Sequence, residues 1–385
     1  MSKIDQVAYA LIRMVTDHKL ARGTRLPPLR TIAAENGVSV FAAKKAMDRL
    51  IDEGLVESRV GDGCYVASTS ERKLRTLARE LDRRIALATR RRLARRSPAQ
   101  DRFVGVLIGE TSGSFYGGFL KGISAVLARE SFRCDFSLNN WSMAMETAHV
   151  QSMLSSPGLR GLIVDPAGKR ECPPYFEDLV RTQTPTVFIG DVRFPEADRV
   201  DVMRCDNRAG MALAMEHVLA LGHRRVAYVE YALLSIWANT PRYETCRDAL
   251  AAAGGEPPPR IGLSLTDEPH RIAQLKAAMA KPKTRPTALV CFNDILALWT
   301  IRALATLSLR VPDDVSVCGF DDREMVENMQ PSLTTVHYPR EDIGTRAAQR
   351  IVAKAAGTVA ADETACIEVA PHLVVRESCA PPRKG

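Results

Sequence analysis

The sequence predicts an α/β protein, in which an N-terminal winged helix-turn-helix domain precedes a two-lobed, doubly wound domain. Two observations lead to this fold class. Within the first 70 residues, three amphipathic helical patterns precede two short strands around a glycine-rich turn. From residue 103 onward, short apolar runs typical of buried strands alternate with helical patterns. We therefore expect domains at 1–70 and 101–376, a basic helical linker at 71–100 and a disordered tail at 377–385.

The composition is that of a soluble globular protein, with 46% apolar and 25% charged residues. No stretch approaches the roughly 20 apolar residues of a membrane span, and the N-terminus lacks the apolar core of a secretory signal. We therefore expect a cytoplasmic protein with no membrane partner. The nine cysteines are scattered and never spaced Cys-x-x-Cys, which favours free thiols over disulfides or metal ligands.

The positive charge is concentrated at the N-terminus. Residues 1–100 hold 21 Lys and Arg against 11 Asp and Glu, whereas the whole chain has a net charge of only +8. A basic N-terminal part on a nearly neutral remainder indicates that only this part meets a polyanion.

The helix boundaries of the N-terminal part follow from its capping residues. Apolar residues from Val7 to Val15 recur at helical spacing, and Pro28 favours the start of a second helix. Ser39 is a suitable N-cap for a third helix, which Gly54 ends. Residues 55–60 and 64–66 then form two strands that are joined across Gly61-Asp62-Gly63.

This segment resembles the GntR family of bacterial regulators. The matching residues are Gly23, Leu26-Pro27, Arg30, Ala33, Val38-Ser39, Ala46, Leu50, Gly54-Leu55-Val56, Gly61, Gly63 and Tyr65-Val66. The resemblance implies binding to double-stranded DNA, with contacts from Arg30 and from the start of the third helix at Ser39. It also places Gly63 at the tip of the wing.

The sequence departs from the family where a base is read. Val40, Phe41, Ala42 and Ala43 stand where the family usually has an arginine and threonines. Arginine grips guanine with two hydrogen bonds, whereas Val40 can touch only a thymine methyl or nothing. The family's usual operator is therefore not expected. Lys44, Lys45 and Arg59 are candidates for phosphate contacts, with a solvated basic face as the alternative.

The linker carries a helical apolar stripe, formed by Leu74, Leu77, Leu81 and Ile85. Either the flank of the winged domain or the same helix of a second subunit could bury this stripe, and the sequence leaves both open.

Polar residues follow the predicted strands of the C-terminal part. Ligands of doubly wound folds bind at the carboxyl ends of the strands. The polar candidates there are Asp165, Asp191, Arg242, Asn293, Asp294 and Asp321. Carboxylates, an amide and an arginine suit a hydroxyl-rich ligand, and Phe115, Trp141 and Trp237 are candidates to stack on a sugar ring.

This part resembles the effector domain of LacI/GalR-type repressors, which shares the fold of periplasmic sugar-binding proteins. The matching motifs are Ser114-Phe115-Tyr116, Asp206-Asn207, His223-Arg224-Arg225-Val226, Asn293-Asp294, Gly319-Phe320-Asp321-Asp322 and Leu333-Thr334-Thr335-Val336. The resemblance implies that the six polar candidates bind the ligand between two lobes. Trp299 departs from the usual glycine.

The two resemblances together imply an arabinose-repressor-like regulator, a homodimer whose operator affinity a small sugar alters. A purine or another non-sugar effector is the alternative, and the sequence does not decide whether ligand weakens or strengthens DNA binding. An enzyme is not expected, because residues 103–376 contain neither a phosphate-binding glycine loop nor a nucleophile motif. No catalytic residue, metal or cofactor is expected. A transport-type binding protein is disfavoured by the winged N-terminal domain.

Overall fold

The structure is a computed structural model of the 385-residue chain. It describes residues 3–17, 20, 22–36, 38–59, 62–67, 74, 76, 77, 80, 81, 83, 84, 102–109, 115–169, 171–232, 239–264, 267–281 and 284–383. Among the helices described, none is long and apolar enough to cross a membrane.

Three helices and a two-stranded hairpin form the N-terminal domain. They are α1 (Lys3–Asp17), α2 (Leu29–Glu35), α3 (Val40–Asp52), β1 (Val56–Arg59) and β2 (Gly63–Val66). The strands pair antiparallel with Val56 opposite Val66, as the glycine-rich turn predicts. Ser39 caps α3, because its hydroxyl accepts a hydrogen bond of 3.2 Å from the Ala42 backbone N–H.

The apolar stripe of the linker packs on the core of the winged domain. Leu74, Leu77 and Leu81 are helical and only 4%, 5% and 0% exposed. They join one hydrophobic cluster with residues of α1 and α3, such as Leu11 and Leu50. This packing decides between the two burial sites that the sequence left open, since the flank of the winged domain covers these three leucines. Ile85 lies outside the described residues.

Twelve strands, eight α-helices and two short 3₁₀ helices (Pro195–Arg199 and Glu324–Asn328) are described from residue 103 onward. The strands are β3 (Phe103–Ile108), β4 (Arg133–Leu138), β5 (Leu159–Val164), β6 (Thr186–Ile189), β7 (Asp201–Cys205), β8 (Val226–Tyr231), β9 (Arg260–Leu263), β10 (Ala288–Cys291), β11 (Ser316–Asp321), β12 (Thr334–His337), β13 (Cys366–Val369) and β14 (His372–Val374). The α-helices are α4 (Phe115–Arg129), α5 (Met143–Leu154), α6 (Phe176–Arg181), α7 (Asn207–Ala220), α8 (Asn239–Ala252), α9 (Glu268–Met279), α10 (Asp294–Thr306) and α11 (Arg340–Ala355).

The strands form two six-stranded sheets, with the orders β13-β7-β6-β5-β3-β4 and β14-β12-β11-β10-β8-β9. The recorded pairs are parallel, except that β12 and β14 run antiparallel. Central strands such as β3, β6, β10 and β11 are buried at every position, which explains their continuous apolar runs. The sequence patterns did not predict the edge strands β4 and β9. An edge strand is only partly buried, so it does not need a continuous apolar run.

Two compact units divide the chain. The first comprises residues 1–112, 127–186 and 351–363, and the second comprises residues 113–126, 187–350 and 364–385. The second unit contains the whole β14-β12-β11-β10-β8-β9 sheet.

The prediction of a disordered tail at 377–385 is wrong for residues 377–383, which pack along β11. The Val317 N–H donates to the Ser378 carbonyl at 2.9 Å, and the Ser378 hydroxyl donates to the Val317 carbonyl at 2.6 Å. His223 Nε2 lies 2.9 Å from the Ala380 carbonyl. The tail is ordered because it completes the hydrogen bonding of a buried strand, which its proline-rich composition does not reveal.

Candidate functional site

The first candidate surface is the exposed side of α3. Ala42, Ala43, Ala46, Met47 and Leu50 are buried against the domain core. The other side leaves Lys44 and Lys45 exposed, and Ser39 is exposed at the N-terminus of the helix. Arg30 is exposed on α2, the first helix of the helix-turn-helix. Four of the six predicted DNA contacts therefore lie on the exposed surface of the helix-turn-helix.

The hairpin holds the other two predicted DNA contacts. The Arg59 guanidinium lies 4.1 Å from the centroid of the Tyr65 ring, and its Nη2 donates to Glu57 Oε1 at 2.7 Å. This hydrogen bond to Glu57 raises the pKa of Arg59. Gly63 has φ = 129°, a conformation that side chains other than glycine rarely adopt, and it borders the Arg25 side chain. Arginines thus flank the turn of the wing.

A buried carboxylate among three arginines forms the second candidate site, within the second compact unit. Asp321 ends β11 and is 4% exposed. Arg323 Nε lies 3.4 Å from Asp321 Oδ2, while Arg340 Nη1 donates to the Asp321 carbonyl at 2.8 Å. Burial raises the pKa of Asp321, and the charges of Arg242, Arg323 and Arg340 oppose this rise. The charges of the three arginines therefore offset part of the cost of burying this carboxyl group.

Arg242 and Arg340 are themselves fixed by hydrogen bonds. Arg242 is 3% exposed, donates from Nε to Asn207 Oδ1 at 2.8 Å, and donates from Nη1 to the Phe292 carbonyl. Its guanidinium lies 3.6 Å from the centroid of the Phe320 ring. Arg340 Nη2 donates to the Asp322 carbonyl at 2.8 Å. These contacts restrict the two side chains, and each guanidinium carries five N–H donors in all.

The backbone at the end of β11 is strained. Asp321 and Asp322 have φ = 117° and 51°, both in the left-handed range. Non-glycine residues in such conformations cost about 1–3 kcal/mol each and cluster at functional sites. The two hydrogen bonds from Arg340 to the carbonyls of these residues stabilise the turn.

Aromatic and amide groups complete this site. Phe115 lies at the start of α4, with its ring centroid 5.2 Å from the Arg323 guanidinium and 5.3 Å from the Tyr338 ring. The Asn293 side chain lies 3.2 Å from the Tyr231 hydroxyl. The three arginines thus supply hydrogen-bond donors around Asp321, and Phe115 supplies a flat apolar surface beside Arg323. Donors, an acceptor and an apolar face are what a polyol requires of its site.

Asp294 occupies an internal position beside Asp321. It is 0% exposed, and both carboxylate oxygens accept hydrogen bonds, Oδ1 from the Thr335 hydroxyl at 2.6 Å and Oδ2 from the Arg323 N–H at 2.8 Å. Burial, followed by the charge of Asp321, raises the pKa of Asp294 to about 7. In this conformation Asp294 positions the turn that carries Arg323, so a direct ligand contact by Asp294 stays a prediction.

Asp191 follows β6, is 9% exposed, and forms an ion pair of 3.0 Å with Arg193. Asp165 belongs to the first compact unit, where it follows β5 and pairs with Lys169. Behind it, Glu146 is fully buried and accepts hydrogen bonds from Tyr175 at 2.6 Å and from Asn139 at 2.6 Å.

Sequence reasoning missed Arg323, Arg340 and Tyr231. The positions of Arg323 and Tyr231 relative to the strands could have identified them, because Arg323 follows the Asp321-Asp322 pair directly and Tyr231 ends β8. Arg340 begins a helix and gave no sequence signal. Trp141 is 37% exposed, whereas Trp237 lies outside the described residues. Among the residues described, no group of three or more His, Cys, Asp or Glu could hold a metal ion.

Two family models match the chain. Residues 3–66 match the bacterial regulatory proteins of the gntR family, and residues 215–379 match the periplasmic binding protein-like domain.

The relatives are transcriptional repressors by name. The arabinose metabolism transcriptional repressor of Geobacillus stearothermophilus is 23% identical, over 98% of each chain. The HTH-type transcriptional repressor PurR of Mannheimia succiniciproducens is 33% identical over 178 residues, which are 46% of this chain and 52% of PurR.

Solved structures share the fold. A LacI family transcriptional regulator from Enterococcus faecium, with bound ribose, is 21% identical with a TM-score of 0.61, and the alignment covers 73% of this chain and 100% of that one. The transcriptional regulator CelR in complex with cellobiose is 22% identical with a TM-score of 0.61, covering 92% and 100%. The chain therefore combines an N-terminal segment that matches the gntR family with a C-terminal periplasmic-binding-protein-like domain, in the order that the two sequence resemblances predicted.

Proposed function

We propose that the protein is a transcriptional repressor that binds operator DNA through its N-terminal domain and senses a small sugar through its C-terminal domain. The main support for this proposal is that one chain contains both a GntR-type domain and a periplasmic-binding-protein-like domain. The alignment with an arabinose metabolism repressor over 98% of each chain supports the same combination of tasks.

The DNA contacts proposed are those of the helix-turn-helix and the wing. The N-terminal part of α3 enters the major groove, as the recognition helix does in helix-turn-helix proteins. Arg30, Lys44 and Lys45 are exposed and contact phosphates or bases, whereas Arg59 and Gly63 lie on the hairpin beside the duplex.

The sugar site proposed centres on the carboxyl end of β11. Asp321 accepts hydrogen bonds from ligand hydroxyls, while Arg242 and Asn293 donate to ligand oxygens. Phe115 provides an apolar face for the ring. Asp165 and Asp191 are further candidates, each at the carboxyl end of its own strand.

Regulation requires that the ligand bind the DNA-competent and the DNA-incompetent states with different affinities. A coupling free energy of about 1–3 kcal/mol changes operator affinity about 5- to 150-fold. We propose a homodimer on a two-part operator, with ligand relieving repression. The relatives are regulators rather than enzymes, and no catalytic step is proposed.

The DNA part of the proposal is tested by selecting duplexes from a random pool with the full chain. We expect enriched sequences, and an affinity for them that falls steeply with salt because phosphate contacts release counterions. A Lys44→Gln, Lys45→Gln variant should bind more weakly and with a smaller salt dependence. A failure to enrich any duplex contradicts the DNA-binding function.

The ligand part is tested by a thermal-shift panel of pentoses, hexoses, sugar phosphates and purines. A ligand at about 100 times its dissociation constant contributes about 2.7 kcal/mol, which raises Tm by several degrees. The shift should be lost in Arg323→Gln, whose guanidinium faces both Asp321 and Phe115. It should persist in the control Arg310→Gln, an exposed arginine paired with Asp314.

A purine or another non-sugar effector is the alternative that the sequence leaves open. A Tm rise with purines and none with sugars would replace the sugar with a purine and leave the regulator function in place.

A further inference from the structure

Two adjacent apolar side chains are exposed at the N-terminus of α3. Val40 is 47% exposed and Phe41 is 69% exposed, which is the largest exposure among the large apolar residues described. They begin the helix, directly after the Ser39 cap. Burying Phe41 would be favourable, because removing apolar surface from water stabilises a contact in proportion to its area.

Phe41 has no role in the core of its own domain. The buried side of α3 consists of Ala42, Ala43, Ala46, Met47 and Leu50, and neither Val40 nor Phe41 belongs to the hydrophobic cluster of this domain. Packing within the domain therefore does not bury Val40 and Phe41, and we expect a binding partner to do so.

The surroundings of the pair identify the chemistry of that partner. Lys44 and Lys45 are exposed one turn along the helix, and the Lys45 ammonium lies 5.9 Å from the centroid of the Phe41 ring. Residues 1–100 carry an excess of ten positive charges. An apolar tip surrounded by lysines complements a surface that is anionic overall and carries local methyl groups. The major groove of DNA is such a surface, since the C5-methyl group of thymine projects into it between two rows of phosphates.

We infer that Val40 and Phe41 are specificity-determining residues that read thymine methyl groups, while Lys44 and Lys45 hold the neighbouring phosphates. The inference rests on the proposed DNA-binding function and adds the base that is read. Because neither side chain can form a hydrogen bond, the pair discriminates thymine by van der Waals contact alone. Each operator half-site therefore contains at least one thymine whose methyl group contributes to affinity.

The test compares thymine with uracil, which lacks only the C5-methyl group. Duplexes are selected from a random pool with the full chain, and the best one is resynthesised with uracil at single thymine positions. Affinity is measured by fluorescence anisotropy at fixed salt. One buried methyl group corresponds to about 0.8 kcal/mol, so we expect about a fourfold weaker affinity at one or two positions in each half-site.

Variants separate methyl reading from general binding. In Phe41→Ala, the ratio of the thymine and uracil affinities should fall towards one at the position that Phe41 contacts. Lys44→Gln should weaken both duplexes equally and keep the ratio. Val375→Ala, which truncates a residue 59% exposed elsewhere, should change neither quantity. Because Phe41 is so exposed, its truncation should leave the Tm of the free protein unchanged.

The outcomes are distinguishable. If duplexes are enriched but uracil is tolerated at every position, or if Phe41→Ala keeps the wild-type ratio, the inference is overturned and the regulator function stands. If no duplex is enriched, DNA binding itself is contradicted.

Discussion

Asp294 should make the stability of this protein depend on pH, and its replacement by asparagine should remove that contribution to the dependence. The carboxyl group is 0% exposed and lies beside Asp321, and its pKa is raised to about 7. An unfolded aspartate has a pKa near 3.9. The folded state therefore holds the proton more tightly than the unfolded state, so the free energy of unfolding falls as pH rises from about 4 to about 7.

The magnitude follows from the difference between the two pKa values. About three pKa units correspond to about 4 kcal/mol of lost stability above pH 7, which is an upper limit for a group that interacts with other charges. Asparagine keeps both hydrogen bonds, since its Oδ1 accepts from the Arg323 N–H and its Nδ2 donates to the Thr335 hydroxyl oxygen. It removes the buried negative charge and its repulsion with Asp321. Asp294→Asn should therefore be more stable than the wild type at pH 8.

The assay is thermal unfolding of the full chain between pH 5 and 8. Half of the upper limit, about 2 kcal/mol, would raise Tm by about 4–8 °C at pH 8. The gain should shrink towards pH 5, where the wild-type carboxyl group in the folded state is already protonated. Asp362→Asn, at an exposed aspartate, is the control and should show no such trend. A variant less stable than the wild type at pH 8, or a gain that is equal at pH 5 and 8, would refute this reasoning.

Three further predictions follow from packing and capping. Leu81→Ala should destabilise the N-terminal domain by about 2–5 kcal/mol because Leu81 is 0% exposed in its core, and chemical unfolding would contradict this if the loss were below about 1 kcal/mol. Gly319→Ala should lower Tm and weaken ligand binding, because an added Cβ would clash with Asp294 Oδ1 and lie 2.7 Å from the Leu333 side chain. A variant with the Tm of the wild type would contradict this close contact. Ser39→Ala should cost about 1 kcal/mol of stability through loss of the α3 cap and should also weaken DNA binding. Ser39→Asp should restore the stability, because aspartate is also a good N-cap, but it should not restore DNA binding, because its carboxylate repels phosphate.

The sequence determined the architecture because the relevant signals are local. The Ser39 cap, the glycine-rich turn before Gly63 and the apolar runs of the central strands depend on residues close together in the chain. The same holds for the polar residues that follow each strand, since parallel strands bring their carboxyl ends to one edge. Asp321, Arg242 and Asn293 were predicted in this way, and all three belong to the second compact unit, while their contact with a ligand stays a prediction.

Only the tertiary structure decided matters that depend on distant residues. The leucine stripe of the linker could have packed on either of two surfaces. Leu74, Leu77 and Leu81 belong to the same hydrophobic cluster as the core of the winged domain, which settles the choice for these three residues. The tail is ordered because Ser378 bonds to Val317, 61 positions away. Asp294 was indistinguishable from Asp321 in the sequence, yet hydrogen bonds from Thr335 and Arg323 occupy both of its oxygens. Burial and hydrogen-bond partners are properties of the folded chain, so no local pattern could assign them.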